Sequence, residues 1–209
     1  MTDHAALKKK VEELAERVWD GSAIEARVKK LSTEGIPKKK LSSKELLADK
    51  QQIIDRVQRR AEEYNFIARN CARSSALAVM EEFGFGNLEI IKALTPFPGF
   101  GGTGWMCGGV TGGLIALGLY FGRDDLLDFE AAGATFMAAR KFMTRFEGTV
   151  GAVLCPKIQE EVVFGRYMDP GASLENMEAF IKAKGIEKCS LLPGIGARLA
   201  AEIIVESLE

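Results

Sequence analysis

The sequence predicts an all-α fold: a compact, bundle-like helical body with a glycine-rich loop and an N-terminal helical extension. Three observations carry that prediction. Apolar residues recur three and four positions apart, as at Leu7, Val11, Leu14 and Val18, which draws one stripe along a helix. No run of alternating apolar and polar residues is long enough to make a strand. Asp, Ser, Gly and Pro fall where such helices would start and stop.

Taken in order, the first helix carries the Leu7–Val18 stripe and ends at Asp20-Gly21, and a second covers Ala23 to Leu31. KLSTEGIPKKKLSS then reads as a linker, because Gly35, Pro37 and the serines break helical periodicity. The chain therefore divides into an arm and linker, residues 1–42, and a body, residues 43–209. Ser42 can cap a long helix running to Phe83, with Glu45 completing a capping box. On that helix Val57, Tyr64, Cys71 and Ala78 are spaced by seven and share a face, so Cys71 points inward. Further on, Phe129, Ala132, Phe136, Ala139, Met143 and Phe146 keep a 3-4-3-4-3 rhythm and predict an amphipathic helix with a core-facing Phe and Met stripe. After CPKIQEEVVFG and a loop at Asp169-Pro170-Gly171, a short helix over Leu174 to Lys184 and a last one from Ile195 to Leu208 complete the fold.

Composition narrows the function classes. A formal net charge of −1 gives no global attraction for nucleic acid or anionic lipid. The KKK runs at Lys8 and Lys38 have acidic residues close by and read as solvated faces. The first eighteen residues mix both charge signs and lack an apolar run, so no signal peptide is expected and a cytoplasmic location is the default. Ala93 to Gly122 is an uncharged run of 30 residues, but it holds ten glycines together with Pro96 and Pro98. Proline and glycine bar a continuous helix through its first half. What remains, Cys107 to Phe121, falls short of the ~20 residues a spanning helix needs, so a buried core helix is expected and no membrane contact.

Few residues can carry chemistry. The single histidine, His4, lies on the terminus, so no Cys-His or Ser-His-Asp engine exists. No pair of carboxylates announces itself as an acid/base couple. The four cysteines, Cys71, Cys107, Cys155 and Cys189, stand singly, 36, 48 and 34 residues apart, without the CxxC or HxxxH pairing of zinc fingers. Their contexts say more. Cys107 opens a helix after GFGGTG, Cys155 precedes Pro156, and Cys189 in KGIEKCSLLPG lies just before another helix. At a helix start, unpaired N–H groups and the positive dipole end favour a thiolate. Glycine lets backbone N–H groups approach sulfur, which tunes a redox potential. Trp105 and Met106 can shield such a site from water. The plain alternative is that all four cysteines are inert, buried small hydrophobes.

These residues resemble the C-GCAxxG-C-C family of redox-active proteins. The resemblance runs from Asn70 to Val205: Asn70-Cys71-Ala72, then GFGGTG leading to Cys107-Gly108-Gly109 and LIALGLYFG, then RFEG ahead of Cys155, and finally Cys189 before the closing helix. Where the family name spells Gly-Cys-Ala-x-x-Gly, this chain reads Met106-Cys107-Gly108-Gly109-Val110-Thr111-Gly112. An inserted loop and helix separate Cys155 from Cys189, and residues 1–42 are additional to the family core. Similar domains occur in anaerobic bacteria and archaea, one of them fused to haem-binding sequence in the split-Soret cytochromes. The resemblance implies a four-cysteine redox domain over 43–209. Its four cysteines are expected to hold one iron–sulfur cluster, [2Fe–2S] or [4Fe–4S], that exchanges electrons with a redox partner protein. Haem is not expected, since no CxxCH is present.

Two further readings stay open. In the first, the same cysteines form a metal-free dithiol/disulfide carrier, with Cys107 and Cys155 as the pair. In the second, LLPGIGARLAAEII matches a helix-hairpin-helix, Pro193 to Gly196 forming the hairpin, a motif that grips a phosphate backbone. Glu202, Glu206 and Glu209 surround it and Arg198 is the lone cation on that helix, so nucleic-acid binding is not expected. Apolar stripes beyond what one helical layer needs predict a homodimer.

Overall fold

The computed structural model describes residues 2–39 and 42–209; the Glu45 side chain, and with it the expected capping box, lies outside the described residues. Most of the described residues are helical. In order the helices are α1 His4–Glu16, α2 Gly21–Glu34, α3 Ser43–Ala48, α4 Lys50–Ala68, α5 Cys71–Phe83 and α6 Leu88–Ala93. There follow α7 Gly99–Gly102, a single distorted turn, α8 Gly108–Phe121, α9 Phe129–Val150 and α10 Cys155–Ile158, which runs on into a π-turn at Gln159–Val163. Then come α11 Leu174–Lys182, α12 Gly185–Cys189 and α13 Leu191–Glu206. The only extended pairing among the described residues is an isolated antiparallel bridge between Met106 and Leu154.

The helices α4, α5 and α13 pack on one another, α8 packs on α5 and α13, and α9 covers α8 and α13. Val57, Ala61 and Tyr64 of α4, Ala76 and Met80 of α5, Val110 and Leu117 of α8 and Ala200 and Ile204 of α13 are fully buried between them. Small residues set the spacing. A Cβ on Gly112 would strike the Ala72 carbonyl, and one on Gly196 would strike the Gly109 carbonyl, so α8 lies against both α5 and α13 with almost no side chain between backbones. At 14 residues α8 is a core helix, and no described helix is long and apolar enough to cross a membrane.

The arm shares this core. Leu7, Val11, Leu14 and Leu31 are buried in the same apolar cluster as the body helices. Here α1 packs on α12 and on the π-turn, and α2 packs on α4. Ion pairs add to the contact: Glu12 to Lys188, Glu16 to Lys184, Arg17 to Glu62, and Arg27 to the buried Glu81.

Several sequence expectations need correction. The first helix stops at Glu16, leaving Val18 exposed, and Asp20 caps α2 instead of closing α1. The long helix ending at Phe83 is three helices. Arg69 adopts a left-handed conformation (φ +52°) and its N–H closes on the Asn65 carbonyl; Asn70 then caps α5 through the Arg73 N–H. Cys71 is therefore the first residue of a helix, not a mid-helix member of the Val57–Tyr64 stripe. In α9 the inward stripe is Ala138, Phe142, Phe146 and Val150, while Phe129 and Phe136 are exposed, because the helix meets α8 and α13 only along its C-terminal half. Finally, Pro193 to Gly196 form no hairpin. They lie inside α13, where Pro193 occupies the third position and its missing N–H forfeits no intrahelical bond. Gly194 and Gly196 admit Glu62 and the Gly109 carbonyl to close contact.

Candidate four-cysteine site

Each cysteine is set by a short piece of backbone logic. Cys71 follows the Asn70 cap, so its sulfur lies among the unsatisfied N–H groups of a helix start; the amides of Cys71, Ala72 and Gly108 all donate to it. The Gly108 donor comes from α8, and a Cβ on Gly108 would overlap the Cys71 Sγ. Cys107 caps α8 with extended backbone, its carbonyl accepting the Val110 and Thr111 N–H groups at 3.0 and 3.1 Å. The Gly109 amide donates to its thiol.

Cys155 opens α10, with Pro156 in the first turn where no donor is needed. The lone bridge fastens it beside Cys107: the Cys107 N–H donates to the Val153 carbonyl and the Cys155 N–H to the Trp105 carbonyl, each at 2.8 Å. Cys189 closes α12, two residues ahead of α13. The next residue, Ser190, is buried, and its hydroxyl accepts from Asn65 Nδ2 at 3.0 Å. Helix starts thus carry Cys71, Cys107 and Cys155, whereas Cys189 sits on the last residue of a short helix.

The four thiols share one electrostatic neighbourhood. Ionising Cys107 is opposed by Cys71, Cys155 and Cys189, and ionising Cys189 by Cys155 and Cys71. Burial pushes every one of them above the ordinary value of 9.0, Cys71 to about 12. Backbone amides and one side-chain amide oppose that rise at Cys71, Cys107 and Cys155. All four are free thiols. Among the described residues no three His, Cys, Asp or Glu side chains stand close enough to hold a single metal ion.

Sequence reasoning missed the surroundings of Cys155. Gln159, buried in the π-turn, points its Nε2 at the Cys155 Sγ (3.6 Å) while its Oε1 accepts the Met168 N–H at 2.7 Å. A π-turn of this kind often marks a functional position. The i, i+4 spacing from Cys155 was the available signal. Asp169 faces the same thiol and opposes its ionisation, and Tyr167 beside it donates to the Gly102 carbonyl at 3.3 Å. Gly99 packs against the Cys155 sulfur, and Gly99, Phe100, Gly101, Gly102 and Gly104 all hold positive φ, which lets the loop fold tightly over Cys155 and Pro156. Trp105 is 65% exposed: its carbonyl, rather than its ring, serves the site.

Comparison with curated proteins and with solved structures gives no match. A family model described as "Putative redox-active protein (C_GCAxxG_C_C)" matches residues 69–203, more than half of the chain and all four cysteines. The chain belongs to the C_GCAxxG_C_C family of redox-active proteins.

Proposed function

We propose that Cys71, Cys107, Cys155 and Cys189 hold one iron–sulfur cluster and that the protein passes electrons to a redox partner protein. The observation that supports this is that four free thiols, Cys107 buried and Cys71, Cys155 and Cys189 half-buried, share one neighbourhood in which Cys71, Cys107 and Cys189 each feel the charge of other cysteines. Four thiolates so placed are unstable without positive charge among them, and backbone amides supply only part of it. The chemistry of the donor set, four cysteine thiols, is that of an iron–sulfur cluster. A single ion is bound by its sulfurs at ~2.3 Å, and among the described residues no three ligand-type side chains form a group that could hold one. A cluster is itself several ångströms across and takes thiolates at its corners.

When bound, the cluster supplies a one-electron couple. The chain's own part is distinct. Gly108, Ala72 and Gly109 present amides to sulfur, which raises the potential at which an electron is accepted. Gln159 fixes the Cys155 side chain, and the helices around Cys107 keep water out. A reducing, oxygen-poor cytoplasm suits thiols kept in this state.

The bridge that fastens Cys107 beside Cys155 favours one other reading, a dithiol/disulfide carrier built on that pair. Anaerobic purification with iron and sulfide analysis and a visible absorption spectrum separates the two. Cluster binding predicts iron and sulfide in matched amounts and charge-transfer absorption that each Cys→Ser variant weakens or abolishes. A colourless protein with four titratable thiols after reconstitution overturns the cluster, and a reversible loss of two thiols between Cys107 and Cys155 establishes the carrier.

A further inference from the structure

The first half of α9 exposes apolar side chains that nothing among the described residues covers. Phe129, Phe136 and Met137 are 77%, 71% and 68% exposed, and Leu126 and Leu127 just ahead of the helix are 92% and 75% exposed. Isolated exposed hydrophobes are ordinary, but five large ones between Leu126 and Met137 form a patch. In their midst is Gly133, a mid-helix glycine whose Cβ would meet nothing within 4 Å. Exposed glycine costs a helix about 1 kcal/mol relative to alanine, and Gly133 neither turns the chain nor admits a neighbour from its own fold.

We infer that this face receives a second copy of the same chain, the two α9 helices running antiparallel about Thr135. Helical rotation puts Phe129, Gly133, Phe136, Met137 and Arg140 on one side of α9. In that register Met137 stands level with Gly133 of the second copy, and its side chain enters the gap the glycine leaves. Phe136 stands level with Ala134 of the second copy. Charge commits the surface to a copy of itself. Arg140 stands level with Glu130 of the second copy, and Glu130 with Arg140, so symmetry makes the pair twice. Neither residue has an ion partner among the described residues of its own chain, whereas Lys141 and Arg145 of the same helix are both held by Glu206. A parallel pairing would instead set Arg140 against Arg140. Asp124, Asp125 and Asp128 border the patch and oppose docking on an anionic lipid surface.

Sedimentation velocity on the full chain tests the inference, with circular dichroism on every variant as the check of fold. The wild type sediments as a dimer at micromolar concentration. Phe136→Glu and Met137→Glu, both at solvent-facing positions, give helical monomers. Arg140→Glu alone and Glu130→Arg alone each weaken association about a hundredfold through like-charge contact, and the double variant E130R/R140E restores it to within about tenfold. A wild type that stays monomeric, a dimer indifferent to Phe136→Glu, vesicle binding without self-association, or a double variant no better than the singles overturns it.

Discussion

Gly108 lies so close to the Cys71 thiol that a methyl group on it would occupy the space of the sulfur. The same residue donates its N–H to that sulfur. One glycine therefore joins the start of α8 to the start of α5. Gly108→Ala is expected to displace Cys71 and destabilise the protein by about 1–3 kcal/mol, the usual cost of overpacking. It should also depress iron content in reconstituted protein. Gly118, in the same helix with open space around it, is the control. Gly118→Ala should raise stability by about 0.5–1 kcal/mol and leave the site unchanged. Urea melts of both variants give the comparison.

How much of this was legible follows from individual residues. The run after Cys107 announced α8, and Cys-Pro announced the start of α10, because both signals are local. The break at Arg69-Asn70 was not legible: arginine is a good helix former, and its left-handed turn goes with the Asn70 cap on α5 and with the tertiary bond of the Asn70 amide to the Thr95 carbonyl. That break moved Cys71 from a helix face to a helix start. In α9 the chain carries two apolar stripes, and periodicity cannot say which of them meets the core. Glycine misled at Pro193 to Gly196, where it serves helix contact rather than a turn. The reading of the four cysteines as one set came from the family pattern, since intervals of 36, 48 and 34 residues imply no proximity.

Gln159 ties Cys155 to the 165–169 loop, and two substitutions separate its two bonds. Gln159→Leu removes both, leaving the buried Met168 N–H unpartnered, and should cost about 1–3 kcal/mol in stability. Gln159→Glu keeps an acceptor for Met168 but replaces the N–H donor at sulfur with negative charge. Since that donor holds the Cys155 thiol down, its loss raises the thiol further. In metal-free protein the pH at which Cys155 alkylates half-maximally should therefore move upward in the Glu variant. Peptide mapping after iodoacetamide treatment reads this directly.

The raised thiols make stability fall with pH in the metal-free, reduced protein. A thiol whose folded value lies above its unfolded value keeps its proton in the folded state after the unfolded chain has lost it. Its contribution is whole below the unfolded value of 9.0 and is lost as pH climbs from there toward the folded value, about 12 for Cys71. Cys107 and Cys189 shift in the same direction and steepen the decline. Urea midpoints should therefore be level from pH 7 to 8.5 and drop above 9.0. Cys71→Ser should flatten part of that drop, whereas an unchanged pH profile would mean that the thiols are solvated.

The arm reaches the site through what it buttresses. Leu7, Val11 and Leu14 of α1 pack on α12, which ends in Cys189, and on the π-turn, which carries Gln159. Glu12 and Glu16 hold Lys188 and Lys184 from the same side. Both ion pairs are solvated and screened and hold little, so the apolar contact dominates. Deleting the first 20 residues would expose that surface while leaving the packing of α4, α5, α8 and α13 in place. The truncated chain should stay largely helical yet alkylate at Cys189 faster than the full chain, and reconstitute with less iron. Val11→Asp, which places a charge at a site 1% exposed, should reproduce both effects without shortening the chain. If Cys189 reactivity is the same in all three proteins, the arm is an independent appendage and α12 holds its cysteine unaided.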